Sequence, residues 1–569
     1  MGALVVRQPH HPDVEAWAQR ALDAAERQAN IYFQLQTFIR LAIYRTYIGD
    51  TQKSLQAIHS IQHLTRSPDA PPLALVAAKH AEAMHYSQAE ESHEKCLKAV
   101  SESLELARTT GVHRLDLMVL GQGVNSALKA GDRETVENLL DQMAASSQSF
   151  RPWEACFYHL LRTREGLLRG AFKQASLHAE MALKCSEEVG SPISSVRCHL
   201  ATAHVMHQLG KPRKAAEHLA RAMTISRRIR AKNSEFVAFL AKALFALDQG
   251  EEASGLTSLR KALAIGREEG YFITFIDRPF AMARICVKAL EKGIEVPYVQ
   301  ELIRRCNLIP DKPPLHLESW PWSLKIFTLG GFQILKEDDP LKFSRKAQQR
   351  PLSMLKALIA LGGKEVREDQ ISDALWPEAD GDVAHESFAT TLHRLRKLIG
   401  NEKALQLREG RLTLDERFCW VDAWAFERIL GQADVRWKEK SKEEAVRLVE
   451  KAIDLYKGPF LFRESEQPWT VTMSERLRSK FLRRVGRLGQ YWQEGGHWEK
   501  ALDCYQEGLE VDNLAEEFYQ GLMTCHIHLG QRAEALSVYN RCKRALSQAF
   551  GVEPSLKTDE IYRSLLSGK

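Results

Sequence analysis

The sequence predicts a mainly α-helical chain in which two helical-repeat regions flank a short α+β segment. Three observations carry that expectation. Glycines recur at a fixed 40-residue spacing in the first half, at Gly170, Gly210 and Gly250. Just after Trp322 the apolar pattern switches from a helical period of 3.6 to a strand period of 2. Near the C-terminus Gly496 and Gly530, each followed by an Ala and Leu at matching offsets, stand 34 residues apart. Repetition on these scales marks helix pairs that stack, each burying its neighbour's apolar face.

Composition sets the limits. At 569 residues the chain is long enough for three or four domains. Hydrophobic residues make up 44% and charged residues 27%, the balance of an ordinary globular protein. The net charge of +6 is too small to imply a nucleic-acid partner, so any such surface must come from local clustering. No run of about 18 apolar residues occurs, which excludes a spanning helix. The N-terminus shows no basic region followed by an apolar core, and Gly2 lacks the Ser/Thr of a myristoylation site. The ten cysteines are scattered without a Cys-x-x-Cys pair, as expected of small core residues in a reducing compartment. A cytoplasmic location without membrane contact is expected.

The first region, 1–309, is a helical solenoid. Gly131 lies 39 residues before Gly170, and Gly49 lies 82, or two periods, before Gly131. Gly190, Ala231 and Gly270 mark the other end of each helix pair. Gly190-Ser191-Pro192 reads as a C-terminal glycine, an N-cap serine and an N1 proline, so one helix ends and another starts there. With Gly170 to Ala175 matching Gly210 to Ala215, these repeats resemble the long tetratricopeptide-like repeats of MalT-type transcriptional regulators. His204 and His207 share a helix face, but without a local acidic or cysteine partner they are expected to be packing residues rather than metal ligands. Pro310, Pro313, Pro314 and Pro321 then predict a linker over 310–321 that lets the solenoid move.

The middle region, 322–428, begins with two short strands, Leu324 to Leu329 and Phe332 to Leu335, around Gly330-Gly331. Asp338-Asp339-Pro340 makes a turn. Helices are predicted at about 345–361, 367–375 and 384–399, with a polar loop at 378–382. A hairpin follows, in which Leu405 and Leu407 alternate before Glu409-Gly410, and Leu412 and Leu414 after it. Strands, three helices and a terminal hairpin make a winged helix-turn-helix. Arg345 to Arg350, Ala374-Leu375-Trp376-Pro377 and Leu392 to Leu398 resemble, in the right order, the OmpR-like winged helix, and more closely its version in the SARP antibiotic-pathway regulators.

Candidate DNA contacts follow from the third helix. Phe388, Leu392, Leu395 and Ile399 form one narrow core stripe. Rotation by 100° per residue puts Thr390, His393, Arg394 and Lys397 on the opposite face with Ser387 beside them, while Thr391 and Arg396 flank the stripe. Such a face suits a major groove, its polar tips reaching base edges and its cations the phosphates. In isolation the helix would more often be a solvated amphipathic one; the strands and ordered matches around it favour DNA. Between Lys342 and Lys356 there are five basic residues and no acid, and Arg345, Lys346 and Arg350 among them are candidate phosphate contacts. Arg408 and Arg411 flank the hairpin tip, where a wing presents arginine to a minor groove. Over 322–422 there are 16 basic and 16 acidic residues, so the basicity is one-sided, and modest affinity reinforced by a second copy on adjacent DNA is expected.

The last region, 429–569, is helical with the 34-residue tetratricopeptide spacing. Leu455 to Leu461, Trp469, Glu475-Arg476-Leu477 and Phe550 to Ser555 resemble the bacterial transcriptional activator domain. That family usually has an acidic residue after the first glycine, where this chain has Pro459, so no role for that side chain carries over. A winged helix followed at once by this domain is the SARP arrangement. The resemblance implies a regulator that binds double-stranded promoter DNA, with the C-terminal domain supporting homodimerisation or contact with RNA polymerase. The solenoid would bind an effector or protein partner not identified by the sequence.

Catalysis and cofactors are not expected. No Gly-x-x-x-x-Gly-Lys-Ser/Thr motif occurs; Leu361-Gly362-Gly363-Lys364 lacks its first glycine and its hydroxyl residue. MalT-like regulators usually carry a nucleotide-hydrolysing switch ahead of their repeats, whereas this chain starts in helical pattern at Val14, Trp17, Ala18 and Ala21. Two other accounts fit the same residues: a repeat scaffold whose winged helix makes only protein contacts, and a C-terminal fragment of a larger ATP-dependent switch.

Overall fold

The glycines singled out by spacing are where helices end. Gly49, Gly131, Gly170, Gly190 and Gly270 all cap a helix C-terminus in the left-handed conformation, with φ between 64° and 88°. That conformation lets the cap N–H close the last open carbonyls, and glycine adopts it without steric cost. The computed structural model describes residues 8–28, 30–88, 92–145, 150–272, 279–310, 312–343 and 348–567. It divides into two compact units, Met1–Asp311 and Lys312–Lys569.

In the first unit α1 (Val14–Arg27) precedes six helix pairs: α2 (Ile31–Ile48) with α3 (Thr51–Leu64), α4 (Pro72–Gln88) with α5 (His93–Thr110), α6 (Asp116–Ala130) with α7 (Arg133–Ala144), α8 (Pro152–Arg169) with α9 (Phe172–Val189), α10 (Pro192–Gln208) with α11 (Pro212–Arg228), and α12 (Lys232–Asp248) with α13 (Glu252–Glu269). Helices α14 (Pro279–Glu291) and α15 (Val296–Arg305) follow. The first helix of each pair packs on the first helix of the next, making an inner layer buried on nearly every side. The second helices form an outer layer that buries a single stripe, as α11 does with Ala215, Leu219, Ala222 and Ser226.

The inner layer curls back on itself. The Asn233 side-chain amide of α12 donates to the Tyr47 carbonyl of α2 at 3.1 Å. A β-carbon on Gly49 would lie 2.5 Å from the Tyr271 hydroxyl, so closure needs glycine there for space as well as for its φ of +88°. Polar links also run between inner helices: Arg164 donates to the Asn125 side chain and Ser87 to Gln122 at 3.0 Å, while within α6 Asn125 donates to Gln122 at 3.4 Å. His204 and His207 both pack on Phe245, and His207 Nε2 lies 2.9 Å from Asp248 Oδ2. The acidic partner absent from the local sequence therefore comes from the next repeat, 41 residues on. Among the described residues no three His, Cys, Asp or Glu side chains form a metal-binding group.

The second unit corrects the expected linker. From Lys312 onward the proline-rich stretch belongs to this unit. Leu315, Leu317 and Trp320 are buried, and the Trp420 and Trp322 indoles donate to the carbonyls of Leu315 and Leu317 at 2.8 and 2.9 Å. The prolines do end the helical pattern, but the apolar residues between them have a surface to pack on, so 312–321 is no free tether.

One sheet has the order β3-β2-β1-β7, from β1 (Leu324–Phe327), β2 (Gln333–Lys336), β3 (Asp339–Pro340) and β7 (Cys419–Val421), with β7 parallel to β1 and the rest antiparallel. Helices α16 (Gln349–Ala360), α17 (Glu368–Leu375) and α18 (Gly381–Ile399) come next. A second sheet, β4-β6-β5, is built from β4 (Val366–Arg367), β5 (Leu405–Arg408) and β6 (Arg411–Leu414). The hairpin seen in the sequence thus has a third strand, too short to read as one.

A boundary at 428/429 would cut α19 (Asp422–Lys438), which pairs with α20 (Lys442–Leu455). The Asp422 carboxylate, buried at the start of α19, accepts from the Thr328 amide and hydroxyl at 2.7 and 2.6 Å and from the Leu329 amide at 2.8 Å. Gly330 N–H donates to the Pro459 carbonyl at 3.1 Å, and a β-carbon on Gly330 would sit 2.6 Å from the Lys457 carbonyl oxygen. The winged helix and the helices after it are therefore fastened together. The long helix α21 (Pro468–Glu494) packs on α16, and α22 (Trp498–Val511), α23 (Glu516–His528), α24 (Arg532–Phe550) and α25 (Leu556–Ser567) complete the unit.

Candidate nucleic-acid interface

Helix α18 is amphipathic along its length. Phe388, Leu392, Leu395 and Ile399 are buried with at most 3% exposure, against α16 and α17. Thr390, His393, Arg394 and Lys397 are exposed, and none makes an ion pair or hydrogen bond with a described side chain. Four polar side chains, two of them permanent cations, thus stand free on one helical face.

Two expected contacts belong to the core side instead. Thr391 is 7% exposed, one position from the stripe. Arg396 is half-buried, and its guanidinium donates to the Leu405 carbonyl at 3.2 Å, tying the end of α18 to the start of β5. A residue flanking a narrow stripe is drawn inward when a neighbouring element covers it, and here the segment leading into β5 does so. Ser387 is half-buried at the edge of the open face.

Helix α17 and α18 are joined by the turn 376–380, and α18 starts at Gly381, one turn earlier than its apolar pattern implies. The added turn exposes Val383 (56%), an apolar side chain that the sequence argument missed because it lies off the core stripe. His385, also exposed, bonds Glu368 at 2.5 Å and braces the start of α18 against α17.

Arg350, on the first turn of α16, is exposed, yet its guanidinium donates to the Leu375 carbonyl at 3.1 Å and so closes the end of α17. It fixes the approach of two helices whatever else it touches. Arg345 and Lys346 lie outside the described residues.

The β5–β6 hairpin turns through Glu409 (φ 49°) and Gly410 (φ 68°), with Arg408 and Arg411 as directly paired residues. Two consecutive positive φ angles define a type I′ turn, which matches strand twist and favours glycine. Arg408 is exposed and forms no ion pair with a described residue. Arg411 is exposed, held loosely by the Glu365 carbonyl at 3.4 Å. Arg367 on β4 pairs across from Arg411 and adds a third arginine to this sheet, though its guanidinium is engaged by Asp369, whose carboxyl it holds below the usual range. The sequence alone gave no sign of this neighbour.

The arrangement offers point charges, two hydroxyl or imidazole tips and an arginine-bearing wing, which are the groups that bind phosphates and base edges.

The comparisons with known proteins bear on the helices behind this face. The sequence profile of the bacterial transcriptional activator domain matches residues 421–566. The chain is similar to the regulatory protein AfsR of Streptomyces griseus, 25% identical over 259 residues, covering 45% of this chain and 26% of the relative. The Streptomyces coelicolor AfsR is 27% identical over 254 residues, covering 43% and 24%. The matched stretch thus spans about a quarter of the length of these curated relatives. Among solved structures, Mycobacterium tuberculosis EmbR, in complex with a low-affinity phosphopeptide, is 18% identical with a TM-score of 0.37, covering 43% of this chain and 65% of that one. A Rap protein complexed with competence and sporulation factor is 12% identical with a TM-score of 0.38, covering 76% and 99%. The profile's start at 421 coincides with the first residues of α19, where the structure also fastens the two parts of the unit.

Among the described residues no helix is long and apolar enough to cross a membrane.

Proposed function

We propose that this chain is a sequence-specific DNA-binding activator of bacterial promoters. The observation that carries the proposal is the open face of α18, where Thr390, His393, Arg394 and Lys397 stand unpaired opposite a fully buried stripe. That face enters the major groove, with Arg394 and Lys397 meeting guanine edges or phosphates and Thr390 and His393 completing the base contacts. Val383, at the start of the helix, is placed to touch a thymine methyl. The wing lays Arg408 and Arg411 along the adjacent minor groove, and Arg345, Lys346 and Arg350 approach the backbone. Helices α19 to α25 recruit RNA polymerase or a second protomer, and the solenoid takes an effector or protein partner that shifts DNA affinity.

Selection of bound sites from random duplexes by the full chain tests the reading. A recovered motif, lost on Arg394→Ala with Lys397→Ala while the melting temperature stays the same, supports it. Enrichment of no motif, or a motif unaffected by that double substitution, overturns it. Comparing residues 312–569 with the full chain on the recovered site tests the solenoid's role, since equal affinity and equal response to cell extract would leave it none.

A further inference from the structure

The six outer helices of the solenoid occupy equivalent places, so each serves as a control for the others. Five have mixed or sparse charge: α5 and α13 carry three basic and three acidic residues each, α9 two and three, α7 one and three, and α3 a single lysine. Helix α11 differs. It carries Arg213, Lys214, Arg221, Arg227 and Arg228 against Glu217 alone, and 211–232 as a whole holds eight basic residues and one acid.

All five of those cations are exposed, and none forms an ion pair or hydrogen bond with a described residue. On α13, by contrast, Arg267 bridges Glu295 at 3.0 Å, and on α5 Arg108 bridges Glu105 at 2.7 Å. The α11 charges also act inward. His218 is held below the ordinary histidine range by burial and then by Arg221.

We propose that the outer face of α11 is a second, sequence-independent contact for the phosphate backbone of duplex DNA. The 17 residues of the helix extend about 25 Å, with its cations spread over most of that length. Duplex DNA presents a negative charge every ~1.7 Å, so a row of cations finds partners without any fixed register. Ala216, Ala220 and Thr224 are exposed between the cations together with the single acid Glu217, leaving a low face of net positive charge that a smooth backbone can approach closely. A protein partner would need a large apolar or aromatic anchor to fill a pocket. No large apolar residue of α11 is exposed; on the outer helices such residues are Leu55 on α3 and Leu177 and Met181 on α9. The proposal rests on the reading that the chain engages DNA, but not on how α18 reads its sequence.

The test uses the full chain carrying Arg213→Gln, Lys214→Gln, Arg221→Gln and Arg228→Gln, on the selected site and on a long duplex of unrelated sequence, over a salt series. The unrelated duplex should be bound about tenfold or more weakly at low salt, with a log–log salt slope shallower by about 2 or more, and base preference should not move. A control variant with Lys173→Gln, Arg260→Gln and Lys261→Gln, on α9 and α13, should leave the slope as it is. Unchanged affinity and slope in the α11 variant overturn the proposal, as does an equal change in the control, which would mean bulk charge. If the α11 variant loses binding to poly-glutamate but not to duplex DNA, the occupant is an acidic protein and the proposal is wrong. The two readings fail separately. A chain that selects no motif but still loses duplex binding in the α11 variant sinks the α18 assignment and supports this one. A motif recovered with no effect of α11 does the reverse.

Discussion

Helices α11 and α18 both present unpaired cations on an open face, yet the company those cations keep is different. On α18 Arg394 and Lys397 stand beside Thr390 and His393, in a helix wedged on α16 and α17 and next to an arginine-tipped wing. On α11 five cations share their face with alanines, a threonine and the single acid Glu217. On the proposed reading charge supplies affinity in both places, whereas only α18 joins its cations to a neighbouring wing and a helix-turn-helix setting that would hold them against base edges. Counting basic residues would rank α11 first; the proposed function instead places the reading of sequence on α18.

The largest effect that could break this contrast is on specificity. Arg394→Ala with Lys397→Ala should reduce discrimination between the selected site and random duplex by about 2–6 kcal/mol, since each good base contact contributes about 1–3 kcal/mol. Competition binding measures it. An equal loss of discrimination from the α11 substitutions would erase the distinction between the helices.

Core truncation comes next. Leu395→Ala, beneath the open face of α18, should cost about 2–5 kcal/mol in denaturant unfolding of the second unit, because Leu395 is fully buried. Thr391→Ala and Arg396→Ala should affect stability more than base preference, contrary to their expected role in contacting DNA. Asp422→Ala should cost about 3 kcal/mol or more by leaving the Thr328 and Leu329 amides buried without an acceptor. If the last substitution left DNA binding and melting unchanged, the winged helix would not depend on its attachment to α19.

The wing gives a smaller change of a different kind. Arg408→Ala and Arg411→Ala should weaken binding to all sequences alike and each lower the salt slope by about 1. A change confined to one base pair would move the wing from the backbone class, shared with α11, to the base-reading class of α18.

The smallest effect separates the two helices by pH. His218 of α11 meets His199 with 3.0 Å between their Nδ1 atoms, and burial, then the neighbouring His218 and Arg221, lowers His199 to about 4. The unfolded chain keeps histidine near ~6.5. Between those values the unfolded state binds more protons, so solenoid stability should be complete above about pH 6.5 and decline as pH falls toward about 4. A decrease of about 2–4 °C in the melting temperature across that window is expected, removed by His199→Gln with His218→Gln. His393, exposed on α18, makes no such contact with a described side chain.

Much of this was written in local chemistry. The 40-residue glycine spacing located the helix ends because a left-handed residue there closes the last carbonyls and turns the chain, and glycine adopts that shape freely. The stripe Phe388, Leu392, Leu395 and Ile399 located the buried side of α18 because helical geometry repeats every 3.6 residues. Glu409-Gly410 located the wing because two positive φ angles in succession call for such a pair. These are properties of a few adjacent residues, and sequence alone determined them.

What lies between segments was decided by the fold. Whether Arg396 points to solvent or to the Leu405 carbonyl depends on where β5 runs. The prolines of 310–321 stop a helix locally, but only Trp420 and Trp322, with acceptors at Leu315 and Leu317, make 312–321 part of the second unit. The carboxylate beside His207 comes from Asp248 in the following repeat, and the return of α12 to α2 joins residues 186 positions apart. No periodicity encodes such meetings, because they depend on how whole elements stack, and stacking is set by the summed shape of many buried side chains.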